Sequence, residues 1–158
     1  MESRIETIGP KKLVGLHMKM SFSYDKTPDL WKTFMPRRGE VQNRATSEYI
    51  SMQIFEPGQE LIFSPSSSFE KWAVVEVFND DFLPDGMEGY SLKGGLYAVF
   101  VHIGPASDFP ETVRYIFEDW FPQSDYQLDN REHFEILPED YRPTDPKARE
   151  EIWIPVKH

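Results

Sequence analysis

Glu151 and Trp153 are the side chains whose type and spacing best suit chemistry. They stand in Arg149-Glu150-Glu151-Ile152-Trp153-Ile154-Pro155-Val156-Lys157. Read as a strand, period two puts Glu151, Trp153 and Pro155 on one face and Glu150, Ile152, Ile154 and Val156 on the other. A carboxylate beside an indole on a pocket-facing strand is a handle for a cation or an acid-base group, because burial disfavours its charge unless something answers it. Glutamate is mostly exposed in folded proteins, so pattern by itself favours a solvated Glu151. A second strand-like stretch, with Trp72, Val74, Glu76 and Phe78 on one side, again carries Trp and Glu together.

Other chemistries find little support. His17, His102, His133 and His158 are scattered without ligand spacing, and the turn-rich stretch around Asp80-Asp81 lacks a metal-loop pattern, so no metal site is expected. His102, before Gly104-Pro105, reads as structural. Gly94-Gly95 has neither the lysine nor the helix of a phosphate loop, and the serines of 64–68 lack a glycine-flanked elbow. No cofactor is expected.

The bulk properties narrow the class. A chain of 158 residues fits one domain with a full core. Its formal charge of −10 argues against a phosphate-backbone partner. The absence of cysteine fits a reducing compartment, and no signal peptide or spanning stretch is visible, so a cytoplasmic, membrane-free protein is expected. Aromatic residues make up 15%, a surplus that either enlarges the core or lines an apolar pocket.

The elements that would position these residues follow from periodicity. An opening strand and a second over 12–20 suggest a hairpin turning at Gly9-Pro10-Lys11. Thr27-Pro28-Asp29 predicts a helix start capped by Thr27, with Leu30, Trp31, Phe34 and Met35 as its apolar face and Pro36 as its end. Strands are predicted over 49–55, closed by Pro57-Gly58, and over 71–78, followed by an acidic, turn-rich connection over 80–89. A strand over 96–103 precedes a helix from Asp108, with Glu111 as a capping-box partner, to Phe121 before Pro122. Strands over 134–137 and 151–156 finish the chain.

Each half then reads strand, helix, strand, strand. The first runs 12–20, 27–35, 49–55 and 72–78; the second 96–103, 108–121, 134–137 and 151–156, within halves of about 1–80 and 90–158. The expected fold is α+β: a tandem duplication of one strand-helix-strand-strand module, with antiparallel sheets and two helices around a central pocket. The Trp/Glu strand falls last in both halves.

The residues resemble a known family. Tyr97-Ala98-Val99-Phe100 with Gly104-Pro105, Tyr115 through Ser124, and Glu151-Ile152-Trp153-Ile154-Pro155-Val156 are similar to the GyrI-like small-molecule-binding domain, the effector-binding part of many AraC- and MerR-type multidrug regulators. Trp31, Phe34-Met35-Pro36-Arg37 and 72–77 fit as well, so the likeness spans 1–158 as a single domain. It implies a central ligand pocket with Glu151 as a buried acid at its floor and Trp153 as a wall. No helix-turn-helix segment is visible, so a stand-alone binder without direct DNA contact is expected.

Two functions follow from the resemblance. One is capture of amphipathic, cationic or polycyclic compounds in an aromatic box of Trp31, Trp72, Tyr97, Phe117 and Trp153 around Glu151. Each of these aromatics also suits plain core packing. The other is a hydrolase opening cyclopropane rings of DNA-alkylating natural products, with Glu151 as general acid/base and Tyr97 or Trp72 orienting the reacting group. Docking of the acidic surface onto a basic protein partner ranks below both.

Overall fold

Nine strands and two helical stretches make up the computed structural model, which describes residues 1–56 and 66–158. The strands are β1 (Ser3–Ile8), β2 (Lys11–Ser21), β3 (Tyr49–Phe55), β4 (Ser68–Val77), β5 (Glu88–Leu92), β6 (Gly95–Ile103), β7 (Gln127–Leu128), β8 (His133–Leu137) and β9 (Arg149–Lys157). The expected turn at Pro57-Gly58 and the first part of the serine loop lie outside the described residues.

All pairings are antiparallel, and the order is β1-β6-β9-β8-β3-β4-β2-β5, with β7 added on β9. The hairpin expected between the first two strands does not form. β1 pairs with β6, Ser3 opposite Phe100, while β2 pairs with β4 and β5. A two-residue hairpin needs positive φ at both turn positions or at the first; Pro10 cannot supply it and Gly9 does not adopt it. The connection over 80–89 likewise ends earlier than its acidic composition suggests, because β5 begins at Glu88 and pairs with β2.

The short links force the sheet to curl. β1 and β2 lie toward opposite ends of the strand order yet are joined by two residues, which span no more than about 11 Å. The Lys93-Gly94 link between β5 and β6 does the same in the other direction. The two links touch: Gly94 has φ +85, and a Cβ there would lie 2.3 Å from the Ile8 carbonyl oxygen. Only glycine suits that conformation and that approach.

Curling gives the sheet two different faces. The inner face closes on itself as an all-strand core of Leu13, Ile50, Met52, Trp72, Val74, Leu92, Tyr97, Val99, Phe134 and Trp153. The outer face carries the helices. α1 (Thr27–Phe34) packs Leu30 and Phe34 on Val14, Ala73, Val75 and Val77, and the second helical stretch packs Ile116 on Ala98, Phe100, Ile152 and Ile154. Burying both faces of β4 and β9 explains their nearly continuous apolar runs.

The helix ends differ in detail from expectation. Thr27 is the first helical residue rather than the cap; Asp25 Oδ1 accepts its amide proton at 2.9 Å, and the Thr27 hydroxyl faces the Met20 sulfur at 3.5 Å. Asp108 makes no side-chain cap bond. The second stretch runs from a 3-10 turn at Ala106–Asp108 through α2 (Phe109–Arg114), a π-helical turn at Tyr115–Trp120 and α3 (Phe121–Gln123). It therefore passes Pro122, where the sequence pattern predicts a stop. The wide π turn accommodates a proline that has no amide to donate and would crowd a regular preceding turn.

Candidate functional site

The outer face of the sheet is not covered evenly. Between α1 and the start of the second helical stretch the central strands are left open, and a cavity of about 570 Å3 occupies the gap. Its apolar walls are Pro28 and Trp31 of α1 with Met35, Tyr49 of β3, Leu137 of β8, and Phe109 of α2. The loop after β8 adds Pro138, Tyr141 and Pro143. At the floor the strands present Ser51, Lys71, Glu135 and Glu150, all buried. Asp25 and Glu139 stand exposed at its edge.

The floor is a polar network inside an apolar frame. Lys71 Nζ donates to Gln53 Oε1 at 2.5 Å, and Gln53 Nε2 donates to Glu135 Oε2 at 2.7 Å. Lys71 Nζ also lies 3.8 Å from Glu135 Oε1. Burial pushes the Glu135 carboxyl above its usual range, against the pull of Lys71 and Gln53. Glu150 is pushed up to about 7, by burial first and then by the charge of Glu135, while the Tyr141 hydroxyl, which hydrogen-bonds it, and Lys71 draw it down. Burial also raises the Tyr141 phenol, so it remains a proton donor. A carboxyl poised near neutrality in a walled cavity can hold a cation or exchange a proton.

The site residues expected from sequence divide between the two faces. Trp31 lines the cavity. Glu151 faces away from it: Oε2 accepts from Arg4 Nη2 at 3.0 Å and Oε1 from the Trp153 indole at 3.2 Å. Trp153 lies in the inner core, stacked on Phe134 at 5.3 Å. Trp72 is also there, stacked on His17 at 4.0 Å. Tyr97 is fully buried, its hydroxyl donating to the Glu132 carbonyl at 3.0 Å. Phe117 belongs to the core under the second helical stretch. Side chains alternate along β9 as expected, with Trp153 in the inner core and Ile152, Ile154 and Val156 under the second helical stretch, but the open face is the one opposite Trp153, so the acid that reaches the cavity is Glu150.

Glu150, Glu135, Lys71, Tyr49 and Tyr141 were not singled out from sequence. A signal for the acids existed: Glu150 shares its face with Ile152, Ile154 and Val156, and Glu135 sits inside Phe134-Glu135-Ile136-Leu137. A charge at the end of a wholly apolar face is the exception that calls for a partner. His102 is structural, Nδ1 lying 2.7 Å from Thr112 Oγ1 and Nε2 3.2 Å from the Pro105 carbonyl. A smaller hollow of about 300 Å3 beside Tyr115 and Trp120 is lined only by part-exposed or exposed residues. Among the described residues no group of His, Asp and Glu is arranged to hold a metal, and no helix is long and apolar enough to cross a membrane.

This arrangement, two helices laid on one face of a curled antiparallel sheet with a walled cavity between them, can be placed among known proteins. Residues 1–157 match the GyrI-like small molecule binding domain. The chain belongs to that family. The transcriptional regulator BrlR of Pseudomonas aeruginosa is 26% identical over 157 residues, covering 99% of this chain and 56% of BrlR, so the GyrI-like chain spans about half of that relative. The solved structure of SAV2435 bound to tetraphenylphosphonium has a TM-score of 0.68 at 17% identity, covering 99% of this chain and 94% of that one. A hydrolase encoded by lin2189 from Listeria innocua has a TM-score of 0.61 at 13% identity, covering 99% and 92%. At these identities the two structures show a shared fold. This GyrI-like domain is thus a small-molecule-binding domain of α+β architecture.

Proposed function

We propose that the domain captures amphipathic, cationic or polycyclic compounds in the cavity over β3, β4, β8 and β9, with Glu150 as the acid that answers their charge. One observation carries this reading: Glu150 and Glu135 are two buried carboxyls facing one cavity walled by Trp31, Tyr49, Phe109 and Tyr141. Aromatic walls hold a flat or globular apolar body, and a carboxylate out of bulk water favours a cationic centre. The tetraphenylphosphonium held by SAV2435 is a compound of this class, in a protein of the same fold.

The strand order supports a duplicated module as the origin of the cavity. Read from either end it pairs like with like: β2-β4-β3 meets β8-β9-β6, and the outermost strands β5 and β1 each add to the other half. Met52 pairs with Trp72, Phe134 with Trp153, and Met52 with Phe134, which makes the two tryptophans counterparts across the centre. By that register the counterpart of Glu151 is Glu70, two residues before Trp72, rather than Glu76. On this reading the cavity lies at the junction of the two modules.

Titration with tetraphenylphosphonium, followed by calorimetry, tests the assignment. Binding to the unmodified protein with a large loss in Glu150→Gln supports it, and equal affinity in the two removes Glu150 from the site. A second reading draws on the Glu150 carboxyl near 7 and on the Listeria hydrolase of the same fold: Glu150 activates water against a strained cyclopropane ring. Mass spectrometry of mixtures with cyclopropane-bearing compounds separates the two, since only hydrolysis adds the mass of water.

A further inference from the structure

Lys71 is the side chain that a cation-binding cavity should not want. An ammonium in the floor repels the guest the acids attract, and a buried lysine is costly in its own right. Yet its side chain is only 9% exposed, and that of Glu135 only 10%. Lys71, Gln53 and Glu135 close a ring through contacts of 2.5, 2.7 and 3.8 Å, in which the ammonium and both Glu135 oxygens are engaged. Glu150 stands outside that ring, with the neutral Tyr141 phenol as its hydrogen-bond partner. Asp25 and Glu139 are exposed at the edge, where water and salt screen them. With both acids ionised, the buried floor carries two carboxylates and one ammonium, and so a single net negative charge.

We propose that Lys71 is a specificity-determining residue: by cancelling Glu135 it sets the cavity for guests with one positive charge and turns away dications. A second cationic centre entering the floor meets a carboxylate already engaged and an ammonium of like sign in a site of low dielectric. Discrimination thus comes from a built-in repulsive group as well as from the attractive Glu150. The inference rests on the reading that this cavity takes cationic guests.

Ethidium and propidium provide the test, since they share a phenanthridinium body and propidium adds a quaternary ammonium. Affinities are measured at about pH 8.5, where Glu150 is ionised. The unmodified protein is expected to prefer ethidium. Lys71→Met moves the ratio of the two Kd values toward propidium by about tenfold or more. The double variant Lys71→Met with Glu135→Gln, which restores a single negative charge, returns the ratio to its original value. Glu135→Gln alone leaves Lys71 uncancelled; it weakens ethidium with Glu150 intact and weakens propidium more.

An unchanged ratio in Lys71→Met, with ethidium still bound, overturns the role of Lys71 and leaves the binding function standing. If Lys71→Met does not fold, Glu135→Gln decides in the same way, an unchanged ratio again overturning the proposal. Failure of the unmodified protein to bind ethidium or tetraphenylphosphonium overturns instead the binding function on which the inference rests. A ratio in the double variant that follows the loss of Lys71 rather than net charge also overturns the proposed cancellation of Glu135 by Lys71, and leaves the binding function standing.

Discussion

Glu150 and Glu151 are neighbours on β9 that face opposite sides of the sheet: Glu150 opens onto the cavity, while Glu151 is held by Arg4 and the Trp153 indole. The pair gives an internal control. Glu150→Gln is expected to cost about 2–5 kcal/mol of affinity for a lipophilic cation, since it removes the acid partner of a desolvated charge. Glu151→Gln should leave affinity unchanged. Because the Arg4–Glu151 contact is partly exposed, its loss should lower stability by no more than about 1 kcal/mol. Calorimetric titration together with thermal unfolding of both variants distinguishes the two roles.

The tryptophans divide in the same way. Trp153 is packed between Tyr97 and Phe134 in the inner core, so Trp153→Ala should cost about 3–5 kcal/mol of stability and leave the affinity of the remaining folded protein unaltered. Trp31, half-buried on α1, forms a cavity wall, and Trp31→Ala should weaken binding by about 1–3 kcal/mol with a smaller loss of stability. Denaturant titration and ligand titration on the same samples separate these effects. A Trp31→Ala variant that loses stability but not affinity would assign the residue to packing alone.

Short apolar runs bounded by turn residues made the individual strands legible, as in β6 and β9. They did not say which face is open. Both faces of β9 are buried, one in the inner core through Trp153 and one under the second helical stretch through Ile152 and Ile154, so alternation sorts residues into two sets without ranking them. An indole draws the eye to its own face, and the cavity is on the other. Partner choice was equally hidden: nothing local in Ser3–Ile8 says that it pairs with β6 rather than with its sequence neighbour. Glu135 is a lone charge between Phe134 and Ile136, but Lys71 follows Glu70 and reads as one of an ordinary charged pair, and their ring closes through Gln53, a third residue on β3.

Gly15 makes the fold sensitive at a point far from the cavity. It lies in β2 opposite Val74, and a Cβ at this position would come within 2.0 Å of the Ala73 carbonyl oxygen, a backbone atom that cannot yield without disturbing the β2–β4 pairing. Gly15→Ala is therefore expected to destabilise by about 1–3 kcal/mol or more, although alanine usually favours ordered backbone over glycine. A lowered midpoint in urea unfolding checks this, and an unchanged or raised midpoint would show that the strands separate easily there.

Binding and stability should respond to pH in opposite directions through the same carboxyl. Glu150 titrates at about 7 in the folded protein against 4.5 for the free side chain, so between these values the folded state holds a proton that the unfolded chain has released. Stability from this group is present at low pH and lost as pH rises toward 7, by on the order of 3 kcal/mol. His17, raised because its hydrogen bonds to Glu70 and Glu88 outweigh the cost of burial, acts with the same sign above 6.5. His133, held down to about 3 by burial and then by Arg131, opposes both, since below 6.5 the unfolded chain takes up the proton. The difference between the unmodified protein and Glu150→Gln isolates the carboxyl facing Glu135, Lys71 and Tyr141. The stability of the unmodified protein relative to Glu150→Gln should fall as pH rises from about 5 to 7 and level off above, while cation affinity of the unmodified protein climbs over the upper part of the range because only ionised Glu150 answers the guest. Parallel unfolding and binding series across this interval check both slopes, and a cation affinity that is flat with pH would separate the carboxyl from the ligand.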